Sequence, residues 1–300
     1  MYSESGPALL VSAPSNLGAA TNDIGITTTD LLGDDGYNAA TPLDPFDEDT
    51  LADPDYTSTF GGTSSATPLV SGVIALMLEA NPNLSYRDIE HILVQTAADT
   101  NPADPDWVTN DAGHTVNHKF GHGVIDAEVA VALASTFQSV GPELALMGGT
   151  ATVGQTIPDL NVNGLTSTIS VTENLNIEWV EVEFDSTHTA SQDLQVVLTA
   201  PSGTESVLVE QRGLFFRAAD YDDYLFTSAR HWDEQAQGDW TISVTDLAAQ
   251  DIGTFESWSI SFYGTAAPQL PTNGGEGGNT ISDLVWNDTE QDGVYDAREK

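Results

Sequence analysis

Two regimes of hydrophobic patterning meet near Gly141-Pro142. On the C-terminal side apolar and polar residues alternate. Val180, Val182 and Phe184 interleave with Glu181 and Glu183, Trp240, Ile242 and Val244 with Thr241, Ser243 and Thr245, and Trp258, Ile260 and Phe262 with serines. Period two is the pattern of a strand with one buried face, and its recurrence between turns predicts an antiparallel sandwich. "TAPSGTESVLV" adds a hairpin through Pro201-Ser202-Gly203. The N-terminal side reads as mixed strands and helices. "PALLVSAPSN" predicts a buried strand ending in a turn. Leu69 to Ala80 is almost wholly apolar, which predicts a helix buried on most sides, with Pro68 in its first turn. Ser85 and Asp88 form a capping-box pair ahead of Ile89, Ile92 and Leu93, and Asp126 can cap "AEVAVALAS".

Composition narrows the setting. Three hundred residues leave room for two ordinary domains. Seven Lys plus Arg against 46 Asp plus Glu give a net charge of -39, which repels nucleic acid and anionic membrane surfaces. Such an excess suits an extracellular or bacterial cell-surface protein in saline surroundings, where screening weakens self-repulsion. There is no cysteine, so no disulfide contributes. No apolar run is expected to approach the roughly 18 residues of a membrane span. Met1-Tyr2-Ser3-Glu4 lacks the basic start of a signal peptide, so the chain reads as opening inside a domain. Thr265 to Asn279 is rich in Pro and Gly and predicts a flexible linker.

The candidate chemistry lies in "FGGTSSATPLVSGVIALMLEA". Two glycines and three hydroxyls precede an apolar helix, where unpaired N–H groups favour negative charge. A serine there combines an exposed hydroxyl with donors for an oxyanion. Gly62-Thr63-Ser64-Ser65-Ala66-Thr67-Pro68 resembles the nucleophile motif of the subtilisin-like serine proteases. "VIALMLEANPNLSYRDIEHILVQTA" and "KFGHGVIDAEVAVALA" resemble the kexin/furin branch, over roughly residues 1 to 137. "LQVVLTAPSGT" and "GDWTISVTDLAAQDIGTFESWSISFYG" resemble the P domain of that branch, over roughly 155 to 265. "TISDLVWNDTEQDGVYDAREK" looks like the opening of an SdrD B-like repeat. The implied fold is multidomain: the C-terminal portion of an α/β subtilisin fold (1–143), an all-β, jelly-roll-like sandwich (150–265), a linker (266–279) and a truncated β module (280–300).

The resemblance implies a serine endopeptidase acting on protein or peptide substrates through an acyl-enzyme on Ser64, with Gly62 and Thr63 in the oxyanion region. The triad order in the family is Asp, His, Ser, whereas all six histidines here follow Ser64. The chain alone is therefore expected to be inactive. The rival reading is a non-catalytic surface or adhesion protein working through its P-like and SdrD B-like modules. His114, His118 and His122 are expected on a hairpin, about 13 Å apart at each step and so too distant to share an ion. Structural calcium is expected at two places. "YSE" resembles the furin-like motif whose glutamate, here Glu4, binds calcium, and Asp288, Glu290, Asp292, Gly293, Asp296 and Glu299 occupy EF-hand-like positions. The other tryptophans read as packing, and "NAATPLDPFDEDTLADPDY" as a solvated acidic loop.

Overall fold

The computed structural model describes residues 4–15, 25–39, 49, 51–212 and 220–267. Asp288, Glu290, Asp292, Asp296 and Glu299 lie outside the described residues, as does nearly all of the linker.

The first half holds β1 (Ile26–Thr29) antiparallel to β2 (Tyr56–Phe60), then α1 (Thr63–Ala80) and α2 (Tyr86–Thr96). The two-residue strands β3 (Val108–Thr109) and β4 (Thr115–Val116) form a hairpin, and α3 (Ala127–Ala134) follows. Two helix starts follow the local signals. Ser85 accepts from the Asp88 N–H while Asp88 accepts from the Ser85 N–H, closing the capping box of α2, and Asp126 accepts from the Val129 N–H to cap α3. The three helices share a core of Val73, Met77, Ile89, Ile92, Leu93, Ala130 and Ala134.

Helix α1 differs from expectation in three ways. It begins at Thr63, so Pro68 falls in the second turn and not the first, and its missing N–H leaves the Ser64 carbonyl without an i+4 donor. It is also buried along one side only, through Ser65, Val73 and Met77, while Leu76 and Leu78 are 49% and 37% exposed. Its burial is set by α3, which packs on one face and is itself packed by α2, among the described residues. Counted from Thr63 it has 18 residues, long and apolar enough by composition to cross a membrane, which corrects the expectation that no run approaches that length. "PALLVSAPSN" also departs from its forecast. Ser12 makes one isolated parallel bridge to Val124, held by bonds from the Ser12 N–H to the Gly123 carbonyl and from the Ile125 N–H to the Ser12 carbonyl, with no longer strand among residues 4–15.

The second half holds β5 (Leu144–Ile157), β6 (Asn161–Val171), β7 (Asn176–His188), β8 (Leu194–Thr199), β9 (Glu205–Val209), β10 (Tyr221–Ser228), β11 (Gly238–Asp246) and β12 (Gly253–Thr265). They form two four-stranded antiparallel sheets, ordered β10-β7-β12-β5 and β6-β11-β8-β9. The alternating residues face inward as their period requires: Val180, Val182, Phe184, Trp240, Ile242, Val244, Trp258, Ile260 and Phe262 are all buried in one core. The β8–β9 hairpin turns through Gly203 at φ +93°.

Candidate active site

Gly62 caps α1 at φ 82° and ψ 177°, a conformation that favours glycine, and it brings no side chain to the helix start. The N–H groups of Ser65 and Ala66 donate to the Gly62 carbonyl at 3.1 and 3.4 Å. Those of Thr63 and Ser64 have no acceptor among the described residues and lie at the positive end of the helix. Ser64 itself is exposed, whereas Ser65 is fully buried. The site thus offers a hydroxyl beside unpaired donors, as oxyanion stabilisation requires.

Two further hydroxyls converge on the same carbonyl. Ser15 Oγ donates to the Gly62 oxygen at 2.7 Å and Ser65 Oγ at 2.9 Å, and the two hydroxyls are 2.8 Å apart. Approaching the site, β2 is held by Asp49. Its carboxylate accepts from Thr57 Oγ1, the Ser58 N–H, Ser58 Oγ and the Leu51 N–H. Burial alone would raise the Asp49 carboxyl, but these donors outweigh it and hold it below its ordinary value. The acidic loop is therefore in part a brace. Neither Ser15 nor Asp49 carries a signal in sequence, since each is one polar residue among many.

No hydrogen bond joins Ser64 to any of the six histidines among the described residues. Five of them cluster between the helical part and the sandwich. His91 Nε2 lies 2.7 Å from Glu178, which also receives Arg87 through Nε (2.8 Å) and Nη2. Burial pushes the Glu178 carboxyl up, yet the bonds from His91 and Arg87 prevail and lower it. His118 lies 2.9 Å from Asp106 through Nδ1 and accepts the Val207 N–H at Nε2. Burial, with Arg230 nearby, lowers His118 despite Asp106. His231 contacts Glu234, and its complete burial lowers it. His188 lies inside the sandwich, 3.3 Å from Asp246.

The remaining histidines, His114 and His122, are not spaced as along one strand. The chain reverses between Asn117 and Gly121, bringing the rings of His114 and His122 to 5.9 Å instead of strand distances. Burial and His114 together lower His122 to about 4. Even so, no group of three or more His, Asp or Glu among the described residues is arranged to hold a metal ion. Glu4 is exposed and belongs to no such group. A cavity of about 520 Å³, lined by Asp106, Asn110, His118, Thr204 and Arg230 among others, also lies at the domain interface and does not include Ser64.

Sequence reasoning missed Glu178. Its place depends on a bulge: Tyr263 pairs with Trp179 and Gly264 with Ile177, so Glu178 is the extra residue and turns towards α2 while Ile177 and Val180 enter the core. Gly264 makes this possible, because a Cβ there would strike the Asn176 carbonyl.

Comparison with known proteins gives independent matches for the two halves. The subtilase family matches residues 9–123, and the proprotein convertase P-domain matches residues 177–262. Neither match reaches residues 280–300. Furin-1 of Xenopus laevis is 32% identical over 223 residues, covering 71% of this chain and 28% of that protein. Proprotein convertase subtilisin/kexin type 6 of Homo sapiens is 34% identical over 216 residues, covering 68% and 22%. The chain thus spans about a quarter of the length of these curated relatives. The crystal structure of the serine protease of Aeromonas sobria in complex with its chaperone superposes with a TM-score of 0.79 at 27% identity, covering 89% of this chain and 55% of that one.

Proposed function

The chain belongs to the kexin/furin-like subtilases, as a catalytic-domain segment followed by a P domain, and from that premise we propose that the protein is a serine endopeptidase with Ser64 as its nucleophile. The observation that carries the reading is the exposed Ser64 hydroxyl in the first turn of α1, beside N–H groups that have no acceptor among the described residues and behind a left-handed Gly62. Ser64 Oγ attacks the scissile carbonyl and passes its proton to a histidine. The carbonyl oxygen, now negative, is received by the helix-start donors around Thr63 and Ser64. The histidine gives that proton to the departing amine nitrogen, and water then attacks the acyl carbon and restores the Ser64 hydroxyl. Five of the six histidines of this chain pair with carboxylates and His122 lies against the Thr115 and Ala229 carbonyls, so the reading takes the base from outside these 300 residues.

The substrates are proteins or peptides, in keeping with relatives named proprotein convertases and serine protease. The protein works outside the cell, where a charge of -39 favours solubility in salt. The catalytic segment occupies 1–143, the P domain 150–265, and a calcium-binding module begins at 280 with Asp288, Glu290, Asp292, Asp296 and Glu299. Glu4 serves calcium only with oxygens from outside the described residues, so no catalytic step is assigned to that ion. The test is Ser64→Ala in the whole protein, which should lower peptide hydrolysis by at least about 10⁴-fold without unfolding it. Undiminished hydrolysis would refute the assignment and favour a non-catalytic surface protein.

A further inference from the structure

The helix that carries Ser64 is fixed differently from its neighbours. Helices α2 and α3 start on side-chain caps, Ser85 and Asp126, whereas α1 starts on Gly62, which has no side chain to offer. Glycine also has the widest backbone freedom, so the turn before the nucleophile would be the loosest of the three starts. Two hydroxyls from outside the cap position take over that task. Ser65 Oγ and Ser15 Oγ lie 2.9 and 2.7 Å from the Gly62 oxygen and 2.8 Å from each other. Ser65 is fully buried, so its hydroxyl is held on the inner side of the turn while Ser64 faces outward.

We propose that Ser15 is a positioning residue for the nucleophile, acting with Ser65 by clamping the Gly62 carbonyl; this rests on the reading of Ser64 as nucleophile. Rotation about Gly62 carries the following peptide N–H groups and the Ser64 hydroxyl together, so a fixed carbonyl fixes both attacking oxygen and oxyanion donors. Displacements near 1 Å in such groups cost up to about 100-fold in rate. Ser15 reaches the cap carbonyl and the Ser65 hydroxyl, so its own hydroxyl acts on the chemical step more than on substrate binding. Its place in the sequence gives no hint of this, since it contacts Gly62 across 47 residues.

The experiment compares Ser15→Ala, Ser65→Ala and Ser15→Thr with the parent, in the whole protein. Measured quantities are kcat and KM on a peptide substrate, the rate at which an organophosphonate labels Ser64, and the melting temperature. Ser15→Ala and Ser65→Ala should each lower kcat about 10-fold and slow labelling by a similar factor, with KM changed less than about twofold. The melting temperature should move little, and Ser15→Thr, which keeps the hydroxyl, should recover most of the rate. Wild-type kcat in Ser15→Ala, or a loss matched by the lost folded fraction, overturns the proposal. Ser64→Ala runs alongside: hydrolysis that survives it defeats the nucleophile reading, whereas an inactive Ser64→Ala beside a fully active Ser15→Ala defeats only the role of Ser15.

Discussion

The backbone N–H of Val207, in the sandwich, donates to Nε2 of His118, in the protease segment, at 2.9 Å. That bond requires a lone pair on Nε2, so the ring proton sits on Nδ1, where Asp106 accepts it at 2.9 Å. A proton added to Nε2 would set two donors against each other across the domain interface.

Stability should therefore fall as the pH drops. His118 is lowered by burial and Arg230, and His122 by burial and His114, to about 4. Groups depressed in the folded state favour folding fully above the unfolded value near 6.5, and that contribution is lost as pH falls through the folded value. For His122 alone the loss between about pH 6.5 and 4 is about 3 kcal/mol. Urea unfolding at successive pH values measures it. His118→Gln should flatten the profile, since glutamine can accept from Val207 without titrating, and identical slopes in variant and parent would rule the mechanism out.

Glu178 should be the costliest interface residue to remove. It is 1% exposed and joins Arg87 and His91 of α2 to the sandwich. Glu178→Ala leaves the buried guanidinium only the Gly141 carbonyl and the half-exposed Glu143 at 4.0 Å, a loss of about 3 kcal/mol. Denaturant titration should show that loss as a lower midpoint, and a change under about 1 kcal/mol would mean water replaces the carboxylate.

The features legible in sequence are those written locally. The capping pair Ser85 and Asp88 spans one turn, and the alternation of Val180, Val182 and Phe184 records one strand's two faces. Glu178 was not legible because its orientation depends on a bulge shared with Gly264, far along the chain. The His114–His122 contact depends on a reversal at Asn117 to Gly121. The start of α1 lies earlier than its apolar run suggests, because hydroxyl residues that ordinarily favour caps and turns join the helix here, with Thr67 and Ser71 returning their hydroxyls to the Thr63 and Thr67 carbonyls. Ser64 was recognisable by its motif, while Ser15, which reaches the same turn, was not.

Added salt should stabilise the chain. With a net charge of -39, self-repulsion acts over the Debye length, which shrinks from about 10 Å at 0.1 M to about 3 Å at 1 M. The buried Arg87–Glu178 pair is screened far less, so the net effect follows the surface charge. Calorimetry in 0.05 M and 1 M potassium chloride should show a melting temperature at least about 4 °C higher in the latter. An unchanged value would mean the carboxylates lie too far apart to repel.

Asp88 should prove a joint as well as a cap. Its buried carboxylate accepts from the Ser85 N–H (2.7 Å) and Ser85 Oγ (2.8 Å), and also from the Val140 N–H (2.8 Å) and Ser139 Oγ (3.1 Å) in the connection to β5. One side chain thus sets both the start of α2 and the path of the chain into the sandwich. Burial would raise this carboxyl, but the four donors lower it, so its contribution is present above the unfolded value near 3.8 and fades as pH falls through the folded value. Asp88→Asn turns one acceptor into a donor facing donors and removes the charge that strengthens the bonds, a loss of about 2–3 kcal/mol at pH 7. Ser139→Ala removes a single donor and should cost about 1 kcal/mol or less. In urea titrations the gap between parent and Asp88→Asn should narrow at low pH as the parent carboxylate becomes protonated. A gap that stays constant from pH 7 to pH 3 would assign the effect to shape, and not to the charge of Asp88.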